Sequence, residues 1–82
     1  FIPAFTYNAT ASAVLIAGAT PVFVDVRGSD FNLDPVDLEA RIEAVRREGR
    51  LQPRLIIAVD LFGIPADYAA IFSVAERHGL QV

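Results

Sequence analysis

Four residue types are missing from this chain of 82 residues, which contains no methionine, lysine, cysteine or tryptophan. Without cysteine there can be neither a disulfide framework nor a thiolate metal site, and this composition is compatible with a cytoplasmic protein. The formal charge is −3, and arginines cluster only at residues 46–50. Because affinity for nucleic acids depends on clustered cations that neutralise phosphates, we expect no nucleic-acid partner.

Long apolar runs are also absent. The longest, residues 9–19, is interrupted by Thr10, Ser12 and Gly18 and is shorter than the roughly 20 residues that cross a bilayer. It lacks the basic flank of a signal peptide. We therefore expect no membrane partner.

The apolar content raises an expectation about domain organisation. Hydrophobic residues make up 54% of the chain, which is typical of a segment from the interior of a larger α/β domain whose parallel strands are covered on both faces. The first residue is not methionine, and residues 80–82 begin a new strand pattern. We expect residues 1–82 to be part of a larger domain whose N-terminal and C-terminal parts are missing.

Strand-like and helix-like segments alternate along the chain, as they do in successive βα units with a parallel sheet. The pattern predicts strands at residues 21–26, 55–59 and 80–82 and helices at residues 8–17, 35–48 and 66–78. The strand at residues 55–59 is uniformly apolar, which predicts burial on both faces, and the first helix is apolar nearly all round, which predicts a buried helix. In the third helix, Tyr68, Ile71, Phe72 and Ala75 share a face. The fold class is therefore α/β, an open and mostly parallel sheet.

Ligands in such sheets bind beyond the carboxyl ends of the strands, which here are followed by residues 5–7, 25–30 and 60–63. Asp60 ends an otherwise aliphatic strand. It is either a binding carboxylate or a turn residue that accepts hydrogen bonds from the backbone of Phe62 or Gly63. The same ambiguity applies to Asp25.

A further strand is predicted at the start of the chain, and the residues between it and the first helix are polar or aromatic. Thr6 or Asn8 would cap the helix, and Tyr7 would be an aromatic residue at the rim of the ligand edge. No metal site is predicted. Asp30, Asn32 and Asp34 alternate like calcium ligands, but the glycine and the terminal glutamate of a calcium loop are missing, so loop and capping roles are favoured. The single histidine, His78, lies in the last turn of a helix, where a structural role is favoured.

Longer motifs resemble a known family. PAFTYNATASAV at residues 3–14 and GATPVFVDV at residues 18–26 closely resemble the large domain of the DegT/DnrJ/EryC1/StrS sugar aminotransferases. FNLDP at residues 31–35 and VDLFGIPAD at residues 59–67 are similar to later segments of the same domain. Many members carry histidine where this chain has Asp60. Asp60 is a possible substrate-binding residue, but a carboxylate and an imidazole present different hydrogen bonds, so the family does not indicate which substrate group it would bind.

The resemblance implies a three-layer α/β/α large domain of fold-type-I transferases that depend on pyridoxal 5'-phosphate (PLP). It further implies a homodimer that moves an amino group from glutamate to a keto group of a nucleotide-linked sugar. Of the family's cofactor contacts it places one in this chain, Tyr7, as the aromatic residue that stacks on the pyridoxal ring. The lysine that binds the cofactor would lie outside residues 1–82, so we expect no catalytic residue here and no activity from this segment alone.

Other functions stay open from the sequence. A relative with histidine at the position of the cofactor lysine would dehydrate its sugar, and a relative without either residue would be catalytically silent. A third alternative is a small non-catalytic α/β binding module, which would unfold cooperatively by itself.

Overall fold

A computed structural model describes all 82 residues. Strands β1 (Ile2–Pro3) and β2 (Phe23–Val24) pair in parallel, with Ile2 opposite Phe23. The helices are α1 (Ala9–Ile16), α2 (Pro35–Glu48) and α3 (Tyr68–His78), and a single 3₁₀ turn spans Leu61–Gly63. No helix is both long and apolar enough to cross a bilayer. The alternation of strands and helices confirms the predicted α/β class.

The sheet continues beyond these two strands through residues 55–57 and 81. Ile57 N–H donates to the Phe1 carbonyl at 2.9 Å, and Ile56 N–H donates to the Gln81 carbonyl at 2.8 Å. The spatial order is thus β2, β1, residues 55–57, residue 81. From β1 the chain moves to β2 on one side of β1, and from β2 it moves to residues 55–57 on the other side. The direction in which successive strands are added to the sheet therefore reverses between β1 and residues 55–57. Such a reversal is the topological switch point at which α/β sheets bind ligands.

Strand pairing is shorter than the sequence predicts. The predicted strand at residues 21–26 contracts to β2 and a single antiparallel bridge between Val26 and Leu33, and residues 55–59 and 80–82 share one parallel bridge. The prediction that residues 55–59 are buried on both faces is wrong, because Ile56 is buried while Leu55 is 45% exposed. Only one face of the sheet is closely covered by helices.

Helix α2 forms where the sequence predicts it. The Asp34 carboxylate caps its first turn by accepting from Val36 N–H at 2.9 Å, and Pro35 occupies the first position. The helix ends at Gly49, whose φ of 75° lies in the left-handed region that glycine adopts without a steric penalty.

The hydrophobic core lies between one face of the sheet and helices α2 and α3. Its members are Val24, Leu33, Leu38, Ile42, Ile56, Ala66, Ile71, Val74, Ala75 and Leu80. In α3 the buried stripe is Ile71, Val74 and Ala75, whereas Phe72 is 55% exposed. Of the four residues predicted to share a face, Ile71 and Ala75 are buried, and Phe72 lies at the edge of the buried stripe with its ring centroid 6.0 Å from that of Tyr68.

Helix α1 contributes nothing to this core. The predicted burial of this helix does not occur within these 82 residues: none of its residues is buried, and Leu15 and Ile16 are 62% and 87% exposed. Right-handed crossovers that run in opposite directions place their helices on opposite faces of a sheet, so α1 forms the third layer alone. An apolar cleft of about 350 Å³ separates α1 from the amino ends of the strands, lined among others by Val14 and Leu55.

Candidate functional site

Tyr7 stands at the carboxyl end of β1, beside the switch point. Its side chain is 81% exposed, and its phenol makes no hydrogen bond within the chain. The backbone holds the residue in place, because the Tyr7 carbonyl accepts from Thr10 N–H at 3.1 Å at the start of α1. The ring is thus largely exposed and open to a planar ligand.

The predicted caps of α1 do not form. Asn8 makes no side-chain capping bond, and the Thr6 hydroxyl pairs with the Thr10 hydroxyl at 3.1 Å instead of a backbone N–H. The reason lies in the backbone: Asn8 has helical angles of φ −55° and ψ −28°, whereas a capping residue needs an extended conformation to turn its side chain toward the following N–H groups.

Asp60 follows residues 55–57 on the other side of the switch point. Its Oδ1 accepts from Ala66 N–H at 3.0 Å and from the Tyr68 phenol at 2.7 Å. The Gly63 N–H donates to the Asp60 carbonyl at 3.0 Å, so Asp60 serves the turn through its backbone, as one of the two alternatives had it, while its carboxylate contacts Ala66 and Tyr68 instead. The Ala66 N–H, and then the Tyr68 phenol, hold the pKa of Asp60 below its usual range. Because both bonds fall on Oδ1, the ionised group keeps Oδ2 open to a ligand.

The other candidate carboxylates serve the loop that precedes α2. Asp25 Oδ1 accepts from Val26 N–H at 2.8 Å, while Asp25 N–H donates to Asp37 at 2.8 Å. Asp30 accepts from Asn32 N–H at 3.0 Å and pairs with Arg27. These contacts confirm the loop roles of the alternating Asp and Asn residues and favour a turn role for Asp25.

Asn32 has a larger role than its place among these loop residues indicated. It carries the one buried polar side chain of the chain and is 1% exposed. Its Nδ2 donates to the Ile64 carbonyl at 2.9 Å, and its Oδ1 accepts from Leu61 N–H at 3.0 Å. One amide therefore ties the loop before α2 to the turn after residues 55–57.

Two phenylalanines in these connected loops have left-handed backbones. Phe31 has a φ of 59° and Phe62 a φ of 54°. This backbone conformation costs bulky residues about 1–3 kcal/mol each, and residues that adopt it cluster at functional sites. Phe31 packs on Phe5 with ring centroids 5.7 Å apart, whereas Phe62 is 78% exposed. No sequence signal marks either position, because glycine or asparagine would be expected there.

A second group of ionisable side chains joins α2 to α3. Arg77 donates to both oxygens of Glu39, and His78 Nε2 lies 3.0 Å from Glu39 Oε1. Arg46 Nη1 lies 3.1 Å from His78 Nδ1; since arginine only donates, this nitrogen accepts and Nε2 carries the proton toward Glu39. Glu43 lies near this group, within metal-ligand spacing. Arg77 pairs with the Glu39 carboxylate, and the contacts of His78 with Glu39 and Arg46 favour the predicted structural role of His78.

Comparison with known proteins assigns a family to the chain that carries Tyr7 and Asp60 at this edge of the sheet. A family model described as the DegT/DnrJ/EryC1/StrS aminotransferase family matches residues 1–82, the whole chain. The chain belongs to this family. The predicted resemblance is thereby confirmed, and with it the fold of the PLP-dependent aminotransferases.

Three similar proteins illustrate the match. UDP-N-acetyl-3-dehydro-alpha-D-glucosamine 3-aminotransferase from Acidithiobacillus ferrooxidans is 43% identical over 99% of this chain and 20% of its own length. The crystal structure of a DegT DnrJ EryC1 StrS aminotransferase from Brucella abortus is 52% identical, with a TM-score of 0.95 over 98% of this chain and 21% of that chain. S. venezuelae DesV, solved in complex with a ketimine intermediate, is 35% identical, with a TM-score of 0.78 over 96% of this chain and 20% of that chain. The chain thus spans about a fifth of the length of these family members.

Proposed function

We propose that this chain is part of a PLP-dependent aminotransferase that transfers an amino group from glutamate to a keto group of a nucleotide-linked sugar. The observation that carries the proposal is the open ring of Tyr7 at the switch point, in a chain that the aminotransferase family matches throughout. The name of the relative from Acidithiobacillus ferrooxidans, an aminotransferase of a UDP-linked dehydro sugar, supports this substrate class.

The residues present fit one side of the cofactor. Tyr7 would stack on the pyridine ring and fix its plane, and its exposure leaves room for this contact. When bound, PLP supplies an electron sink for the carbanion formed at the amino-bearing carbon. Oδ2 of Asp60 is a candidate acceptor for a hydroxyl of the sugar. The sequence has no lysine, so the covalent attachment would come from another part of a longer protein, as the short coverage of the relatives supports.

The same proposal includes a cytoplasmic homodimer. An exposed apolar surface is the usual mark of a face that is covered in the assembled protein. Helix α1 presents Leu15 and Ile16 to solvent, and Phe23 of β2 is 55% exposed. These side chains support burial of the α1 face by the rest of the protein or by a second subunit.

The test is to replace Tyr7 in a full-length protein that contains these residues. Tyr7→Ala should weaken PLP retention by about 1–3 kcal/mol, the value of burying one large apolar side chain, while the matched control Tyr7→Phe, which keeps the ring, should retain it. Equilibrium dialysis followed by absorbance of the bound cofactor measures both. Unchanged affinity in Tyr7→Ala would remove Tyr7 from the site.

A second measurement separates the alternatives that the sequence left open. Incubation with glutamate and a keto-sugar nucleotide, followed by mass spectrometry, distinguishes an aminated product from a dehydrated one. An aminated sugar is expected. A sugar that has lost water would favour the dehydratase, and an unchanged sugar with no bound PLP would favour a non-catalytic protein.

A further inference from the structure

Asn32 lies at the edge of the sheet that the proposed function uses. Its side chain satisfies two backbone groups of the turn at residues 60–64, the Leu61 N–H and the Ile64 carbonyl. Its own backbone is fixed as well, because Arg27 N–H donates to the Asn32 carbonyl at 2.9 Å and Asn32 N–H donates to Asp30. A buried amide with this many partners is rigid, since loss of either bond would leave an unpaired polar group.

The turn that Asn32 holds forms one side of the switch-point crevice. It follows residues 55–57, whereas Tyr7 follows the neighbouring strand β1. Two side chains of the turn are available to a ligand. Asp60 keeps one carboxylate oxygen open, and the Phe62 ring is 78% exposed on a left-handed backbone.

The two bonds from the Asn32 side chain to Leu61 and Ile64, which we call the clamp, hold a residue, Phe62, that lies outside the core. Neither Asn32 nor Phe62 belongs to the hydrophobic core cluster. A left-handed phenylalanine is retained only where surrounding contacts over-determine its backbone, and such strain points to function. Here the over-determining contacts are the two bonds from Asn32, which bracket Phe62 at residues 61 and 64.

We propose that Asn32 is a positioning residue for substrate binding, which acts by fixing the 60–64 turn so that Asp60 and Phe62 face the nucleotide-linked sugar. The inference rests on the proposed function and deepens it. The carboxylate accepts hydrogen bonds from hydroxyl groups of the ligand, and the ring packs against an apolar face of its sugar or base. Tyr7 follows a different strand, β1, and makes no backbone hydrogen bond with Asn32 or the 60–64 turn, so we expect the cofactor contact to be independent of this clamp.

The test compares Asn32→Leu with Val74→Ala in the full-length protein. Asn32→Leu keeps the side-chain volume and removes both bonds, whereas Val74→Ala destabilises α3 in the buried core, away from the turn. Asn32→Leu should raise KM for the keto-sugar about tenfold, the equivalent of roughly one net hydrogen bond to a fixed loop. The single-turnover rate with glutamate and the absorbance of bound PLP should not change. Val74→Ala should lower the melting temperature with KM unchanged.

Amide hydrogen exchange provides a readout that does not depend on activity. The Leu61 N–H should exchange faster in Asn32→Leu than in the wild type, while the Leu38 N–H in α2 keeps its protection in both. Should Asn32→Leu fail to fold, Asn32→Ser serves instead, because its shorter hydroxyl cannot span both backbone groups. It should show the same rise in KM.

Different results would overturn different claims. A KM in the Asn32 variants no higher than in Val74→Ala, or a glutamate half-reaction that slows by the same factor, would overturn the positioning role alone. A wild-type protein that neither binds PLP nor transfers an amino group would overturn the proposed function, and this assignment with it.

Discussion

The phenol of Tyr68 donates a 2.7 Å hydrogen bond to Oδ1 of Asp60 and so joins the first turn of α3 to the carboxyl end of the extended segment before it. The same oxygen accepts from Ala66 N–H. The two donors lower the pKa of Asp60, and the carboxylate in return raises the pKa of Tyr68. A helix start and a candidate binding carboxylate are therefore coupled through one oxygen atom.

Removal of the phenol tests this coupling. Tyr68→Phe should raise the pKa of Asp60 toward its ordinary value of 3.8 but not all the way, because the larger effect comes from Ala66 N–H. Since the folded pKa of Asp60 is lowered, its hydrogen bond with Tyr68 stabilises the protein at any pH above the ordinary pKa. This stabilisation is lost as the pH falls through the folded pKa. Carboxyl NMR titration measures the shift. Tyr7→Phe, which removes a phenol without a partner, should leave the Asp60 titration in place.

The contact between α2 and α3 should also depend on pH. Hydrogen bonds from Arg77, and then from His78, lower the pKa of Glu39. Ionised Glu39 therefore stabilises the fold at any pH above its ordinary pKa of 4.5, and this stabilisation is lost as the pH falls through the folded pKa. Glu39→Gln should lower the urea midpoint at pH 7 and flatten its decline toward acid pH. Glu43→Gln, one turn along the same helix, is the matched control and should behave as the wild type does. A steep acid decline that persists in Glu39→Gln would assign the pH dependence to other carboxylates.

The left-handed backbone of Phe62 predicts a gain in stability on substitution by glycine. Phe62→Gly should raise the free energy of unfolding by about 1 kcal/mol, since glycine relieves the strain at a φ of 54° at a smaller entropic cost. Ala40→Gly, on the exposed side of α2, should lower it by about 1 kcal/mol. Chemical denaturation compares the two. A loss of stability in Phe62→Gly would show that the ring packs against the protein.

The same variant links stability to the proposed binding role. If Phe62 contacts the nucleotide-linked sugar, Phe62→Gly should be more stable and yet bind the substrate more weakly. Stability and affinity change in opposite directions when a strained residue is retained for binding.

The exposed apolar surface of α1 predicts self-association of the 82-residue chain. Leu15 and Ile16 are 62% and 87% exposed, and exposed apolar surface of this kind associates in water. The double substitution Leu15→Lys and Ile16→Lys should lower the weight-average mass at a given concentration, measured by sedimentation velocity. Ala40→Lys adds charge on α2, away from the patch, and should change the mass less. An equal effect of both variants would mean that net charge, and not this surface, governs association.

The sequence by itself determined the helices, the α/β class and the family. Local signals sufficed for α2: a capping aspartate, proline at the first position, apolar residues at helical spacing and a glycine at the end. The same holds for the end of α3 at Gly79. The family motifs extend in order through nearly the whole chain, and their residues alone were specific enough to indicate the family.

Only the tertiary structure decided which residues are buried and which distant residues meet at the candidate site. The apolar sequence of α1 could not show that its face lies open, because burial depends on which elements lie opposite. The clamp from Asn32 joins residues about 30 positions apart, and no local pattern reports a contact between such distant residues. The left-handed angles of Phe31 and Phe62 oppose the local preference of phenylalanine. At Phe62 the two bonds from Asn32 outweigh that preference, and at Phe31 the ring packs on Phe5. These contacts with distant segments exist only once the chain has folded.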